Sequence, residues 1–370
     1  MVTKEKYYQL LTTIQIKQDC ETLLSLNNVL SQPILALSFL PFYALFADEI
    51  ENTIGDKGNK FVIRNDSPFK ISEVRAKLKL FGHEKINKSK KRILSADFVQ
   101  DQIFGNKLKL LIVRYLKIHY NIGIFYLNDG RIIGNTQYFY YMFQDRNFNV
   151  REYKEEEIRL FSQSLGTVIG SVSEGLKDFL PDYKIFVKNE KYQIKYKDFN
   201  TNKRNFSSLS VYGKDMVLLL LHTLSAVNYV RFILENELPE DNPYLFKVKY
   251  ITMYYALGSV NKVSNYYSSN NIVLNPNVLE SLKSILINSE VLLNSDFRSC
   301  MMHYEFINKG KYLIKDEYLN CSVPFYGLIQ TFFNGMNYSD FNKILTDKII
   351  HISDSIENLL KISNDNLKKL

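Results

Sequence analysis

Tryptophan is absent, cysteine occurs three times and histidine five times, and each scarcity narrows what the chain can be. Cys20, Cys300 and Cys321 form no close pair and no metal-ligand spacing, which argues against a disulfide framework and a zinc site and suits a reducing cytoplasm. No phosphate-cradling glycine loop, HExxH or paired CxxC occurs, so the common signatures of nucleotide, zinc-protease and redox chemistry are missing. Charges stand near the N-terminus where a secretory signal would be apolar. The most apolar run, PILALSFLPFYALFA at 33–47, contains a second proline and stops at Asp48 and Glu49. It is too short for a membrane span and reads as a buried helix, with an interfacial segment as the alternative. Neither a cofactor, a metal nor a membrane is expected.

Tyrosine and phenylalanine are plentiful, at 26 and 25 residues, and can fill cores or stack on bases. Hydrophobic residues make 46% of the chain and charged ones 23%, the balance of a folded protein. With 370 residues, two domains are expected, 1–205 and 206–370. Charge supports the division. Residues 1–205 hold 32 Lys+Arg against 23 Asp+Glu, whereas residues 206–370 hold 15 against 16. The stretch KISEVRAKLKLFGHEKINKSKKR at 70–92 sets nine basic residues against two acidic ones. Such a strip can neutralise phosphates, which makes Lys85, Lys88, Lys90, Lys91 and Arg92 candidate RNA contacts. A solvated helix end and loop is the other reading.

The spacing predicts a mainly α chain, a mixed α+β first half with small β-hairpins followed by a bundle of four or five helices. Residues 4–50 read as helical. IGIFYLNDGRIIGN at 122–135 places Asp129-Gly130 between extended runs, a hairpin signature, and YKIFVKNEKYQIKY at 183–196 is a second candidate. Between them, Glu155, Glu156 and Glu157 open a helix where its dipole favours them. The polar stretch 199–210 marks the boundary. Beyond it, MVLLLLHTLSAVNYVRFIL is apolar nearly all round, the pattern of a central helix, and His222 inside it reads as a core residue. Asn275 and Pro276 cap and start another helix, and Phe341 to Leu359 mark the last.

In SDFRSCMMHYEF, residues 295–306, Phe297, Cys300, Met301 and Tyr304 form an apolar face at helical spacing. Arg298 and His303 flank it, roughly 140° apart around the axis and about 7.5 Å apart along it, and could hold a phosphate with its sugar between them. The same Arg-x4-His spacing recurs at Arg114 and His119, where it reads as accidental. Surroundings separate the two. FRSCMMHYEF, late in a helical bundle and followed by a loop, VPFYGLIQTFFNGMNYSDF and a long helix, resembles the HEPN (higher eukaryotes and prokaryotes nucleotide-binding) domain, over about residues 206–370.

That resemblance implies a metal-independent endoribonuclease, commonly a toxin or antiphage-defence effector, whose site forms where two subunits meet. Arg298 would match the motif arginine and His303 the motif histidine. RNA, a second copy of the chain and an antitoxin or regulatory partner are the implied partners. Ser299 stands where active members often carry Asn, Asp or His, and Tyr304 directly follows the histidine. Asp296 and Glu305 are candidates to orient Arg298 or His303, or simply a cap and a surface charge. Two other readings stand beside this one: a noncatalytic module that binds nucleic acid or nucleotide, and a structural interaction protein.

Overall fold

The computed structural model describes residues 3–55, 69–83, 85–106, 120–145, 153–308, 310–362 and 368–369; the Arg114–His119 pair lies outside them. The chain is mainly helical with small antiparallel sheets. Helix α1 (Lys4–Val29) starts where the Thr3 side chain accepts from the Lys6 amide, and buries Tyr8, Leu11, Gln15, Asp19, Leu23 and Leu26 at a helical period. The break at residues 30–32 fits Pro33, whose fixed φ and missing N–H suit a helix's first position, and α2 (Pro33–Gly55) follows. Residues 4–50, expected to be helical, thus form two helices. Almost every residue of α2 from Phe39 to Ile50 is buried. Helices α3 (Ile71–His83) and α4 (Ile86–Asn106) come next.

Strands β1 (Ile122–Leu127) and β2 (Ile132–Asn135) form the expected hairpin, with Gly130 at φ +90° in the turn. Asn135 then caps α5 (Thr136–Met142), and α6 (Glu155–Gly175) opens on the three glutamates, Glu157 accepting from the Lys154 amide. The second expected hairpin does not form. Only Ile194–Phe199 is a strand, β3, and it pairs antiparallel with β1, Ile122 opposite Phe199 and Leu127 opposite Ile194. The preceding residues spend their backbone groups elsewhere: Asn189 and Glu190 donate to the Glu237 carboxylate, Lys188 donates to the Glu237 carbonyl, and the Tyr192 carbonyl accepts from Gln32. With those groups taken, no local ladder remains to be made. A short β6 (Lys368–Lys369) completes the order β2-β1-β3-β6.

Helix α7 (Lys214–Tyr229), extended by a π-turn at Val230–Leu234, is buried on all sides from Met216 to Leu224. His222 lies inside, beside the Asn135 side chain at 3.3 Å, and burial pushes its imidazole down to about 3. Helices α8 (Pro243–Ser269), α9 (Pro276–Leu286), α10 (Ser295–His303) and α12 (Tyr338–Leu360) begin on Asn242, Asn275, Asn294 and Asn337, each asparagine side chain accepting from an amide of the first turn. The short β4 (Ile307–Asn308), β5 (Lys311–Tyr312) and α11 (Leu328–Phe332) link α10 to α12.

The two halves do not carry separate cores. Phe206 and Leu209 in the expected boundary are buried, Ser207 and Ser208 bond to the carbonyls of Leu359 and Leu360, α7 packs on β2 and α4, and α8 packs on α3. Helices as apolar all round as α2 and α7 need cover on several sides, and each takes part of it from the other half. Among the described residues, two helices are long and apolar enough to cross a membrane, Pro33–Thr53 and Lys214–Glu237, and 78% and 83% of their most apolar stretches are buried inside this shared core.

Leu221→Ala should cost about 2–5 kcal/mol, and urea unfolding followed by tyrosine fluorescence and far-UV circular dichroism should give one coincident transition. Two separated transitions would show independent cores. Because the folded His222 titrates below its unfolded value, its contribution to stability is complete above about pH 6.5 and shrinks as pH falls towards 3. Replacing it by Gln should flatten the pH dependence of stability between pH 6.5 and 5; an unchanged slope would show that His222 takes up a proton in the folded chain.

Candidate functional site

Helix α10 is short because both of its ends are determined. The Asn294 side chain accepts from the amides of Asp296 and Phe297 at 3.0 and 2.9 Å. At the other end Tyr304 adopts a left-handed backbone, φ 53°, a costly conformation for a bulky residue unless the surroundings hold it. They do. Tyr304 points into the core, where its hydroxyl donates to Asp19 Oδ2 at 2.6 Å and the Lys247 ammonium lies 4.2 Å from its ring centre. Phe297, Cys300, Met301 and Met302 are buried, with Phe297 edge-on to Tyr250 and Phe333. Arg298 and His303 are left on the helix flanks, as their spacing requires.

His303 closes the helix, 26% exposed, with Nδ1 2.7 Å from Glu49 Oε2. Glu49 and Asp48 are the two acids that end the apolar run of α2. Both are paired to Arg75 on α3, which reaches Asp48 Oδ2 at 2.5 Å and Glu49 Oε1 through its two terminal nitrogens. One of these also lies 3.4 Å from His303 Nδ1. A guanidinium only donates, so it cannot bond to a protonated Nδ1, whereas a carboxylate at 2.7 Å requires one. The hydrogen on Nδ1 is therefore assigned to the Glu49 contact, and the basic lone pair of the neutral ring falls on Nε2.

His303 and Glu49 open onto a cleft of about 360 Å³, lined also by Gln9, Thr12, Asn52 and Glu305. Arg298 is not in its lining. Its guanidinium lies 5.6 Å from the Tyr254 ring centre, 3.5 Å from Ser299 Oγ and 3.8 Å from Met302 Sδ, and its Nε is buried without a hydrogen-bond partner. Tyr255, on α8, feels both Arg298 and Arg75. Burial raises its phenol above the ordinary value, and the two guanidiniums act against that. The Tyr255 hydroxyl itself donates to Met302 Sδ at 3.1 Å.

The remaining expected site residues separate. Ser299 contacts Arg298; Asp296 is an exposed first-turn acid; Glu305 sits at the cleft rim; Tyr304 also borders the cleft, but it is buried and its hydroxyl is committed to Asp19. The carboxylate that meets His303 comes from Glu49 rather than from Asp296 or Glu305. Lys85, Lys88 and Lys91 are exposed at the start of α4. Lys90 is paired with Asp215 at 2.8 Å, and Arg92 is buried and donates to Gln144 and the Asp145 carbonyl. Arg92 is therefore no surface contact for RNA, since its guanidinium holds the chain after α5. Among the described residues, no group of three or more His, Cys, Asp or Glu could hold a metal ion.

Asp48, Glu49 and Arg75 are the residues that motif reading missed. The available signal was an Asp-Glu pair set abruptly against an otherwise apolar helix. Comparison with family models, with curated proteins and with solved structures finds no match to this chain.

The anchor beneath the site is the Asp19–Lys247 pair, 2.5 Å apart with both side chains fully buried. Burial raises the Asp19 carboxyl and lowers the Lys247 ammonium; their attraction opposes both changes, and the Tyr304 hydroxyl opposes the change at Asp19. Asp19→Asn or Lys247→Met alone should cost about 3–5 kcal/mol by leaving a buried partner uncompensated. The double variant should cost clearly less than the sum in denaturant titrations. Strict additivity would mean that the two charges do not support one another.

Proposed function

We propose that the protein is a HEPN-type, metal-independent endoribonuclease acting as a homodimer, in the manner of toxins or antiphage-defence effectors held by a regulatory partner. The observation that supports this reading best is His303 itself, closing a capped helix at the mouth of a polar cleft, with its ring oriented by a carboxylate. In the proposed reaction the 2′-oxygen of RNA bonds to the adjacent phosphorus, and the bond from phosphorus to the 5′-oxygen breaks. One His303 takes the 2′-hydroxyl proton, and a second, from the partner subunit, protonates the departing 5′-oxygen. Arg298 would stabilise the charge gathering on the phosphate oxygens. Exposed Lys85, Lys88 and Lys91 would add salt-dependent contacts to the RNA backbone.

The placement of Arg298 against Tyr254, outside the cleft lined by His303, favours a second reading. A single chain does not bring the motif pair onto one substrate atom. Either two subunits combine their residues, or Arg298 serves a binding module that cuts nothing.

The experiment is RNA cleavage by the purified protein in EDTA. Products ending in 2′,3′-cyclic phosphate are expected, and Arg298→Ala and His303→Ala should each lower the rate by roughly 100-fold or more. Intact dimer that binds diverse RNAs and leaves them uncut would sink the ribonuclease reading in favour of the binding module.

A further inference from the structure

The Glu49 carboxylate divides its two oxygens between a guanidinium and an imidazole. Oε1 faces the Arg75 guanidinium, and Oε2 accepts from His303 Nδ1 at 2.7 Å. Its side chain is only 6% exposed, so water competes weakly for it, and the apolar body of α2 leaves it little freedom to turn away. Arg75 is held in turn by Asp48, and the same terminal nitrogen that meets Glu49 lies 3.4 Å from His303 Nδ1. This order, Asp48 on α2 to Arg75 on α3, back to Glu49 on α2 and then to His303, ends on an imidazole that lines the cleft.

We propose that Glu49 is a positioning residue for His303, holding the neutral ring in its Nδ1–H form and presenting Nε2 as the nitrogen that exchanges protons at the cleft. The consequence for catalysis rests on the reading of His303 as the acid–base group; the consequence for the ring itself does not. Oriented carboxylates play this part for imidazoles because the bond to one nitrogen decides which tautomer the other presents. A carboxylate in contact also favours the charged imidazolium. Of the other groups at this corner, Arg75 on α3 opposes protonation, Asp48 on α2 and Glu305 at the rim favour it, and Gln9 and Thr12 on α1 are uncharged. A purely structural role would need only the pairing of Glu49 with Arg75, and would leave the Nδ1 contact without effect on the ring.

The test uses the full chain with ¹⁵N-labelled histidine rings, in EDTA and without RNA, with His303→Gln assigning the signal. Native protein should show the neutral ring protonated at Nδ1. Glu49→Ala should move it towards the Nε2–H tautomer common in water and lower its titration midpoint by about one pH unit. Glu49→Gln keeps one acceptor oxygen and loses the charge, so with that oxygen turned to Nδ1 and the pairing with Arg75 given up it should keep the tautomer while the midpoint falls. If Glu49→Ala fails to fold, Glu49→Gln alone decides: a midpoint equal to that of native protein overturns the proposal, as do unchanged tautomer and midpoint in both variants. Where native protein cleaves RNA, Glu49→Ala should lower kcat roughly tenfold or more with KM unchanged, and the acidic limb of the pH profile should move to lower pH, with Glu49→Gln intermediate. Native protein that cleaves nothing overturns the ribonuclease reading and leaves the ring measurement to judge Glu49.

Discussion

The arrangement of the candidate site depends on two opposite charges that have no contact with solvent. Asp19 on α1 and Lys247 on α8 are fully buried and 2.5 Å apart. Each would cost several kcal/mol to desolvate, so neither is tolerable without the other. Their meeting brings two helices from opposite halves of the chain to one relative position. Tyr304 joins them through its hydroxyl, which holds its left-handed backbone and ends α10 one residue after His303. Phe46 of α2 packs against Tyr304 and Tyr244 around the pair. The same few contacts therefore decide where His303 stands and that α2 lies beside it.

Around that anchor the chain solves a common problem of packing. Helices α2 and α7 are apolar nearly all round and must be covered on several sides, so the core passes through both halves without a break. Buried polar groups are then tolerated only in pairs. On α2 these are Asp48 and Glu49, whose charges face Arg75, with Glu49 also in contact with His303. His303 also stands at the C-terminal end of α10, where the helix dipole favours a cation. The cleft is thus a seam between α1, α2 and the end of α10, built from residues far apart in the chain.

Local chemistry was legible to the extent that it acts over a few residues. Asp129-Gly130 makes its turn because glycine accepts a positive φ; Asn275 and Pro276 start a helix because one side chain satisfies an amide and the other lacks it; and Glu155 to Glu157 open α6. The 183–196 segment has the same surface signs of a hairpin, yet Glu237 and Gln32 take its backbone groups, and its last residues pair with β1. The polar stretch at 199–210 looked like a linker, but Phe206, Leu209 and the bonds of Ser207 and Ser208 to the end of α12 make it part of the core.

The sequence by itself determined the periods, caps and turns, and that Arg298 and His303 flank an apolar helical face, because these follow from geometry within a few residues. Only the tertiary structure decided that Glu49, 254 residues earlier, meets His303, that Arg75 sits beside both, and that Arg298 lies against Tyr254 instead of in the cleft. No local preference couples residues so far apart. Their meeting is set by the burial of α2 and by the single position at which Asp19 and Lys247 can neutralise one another.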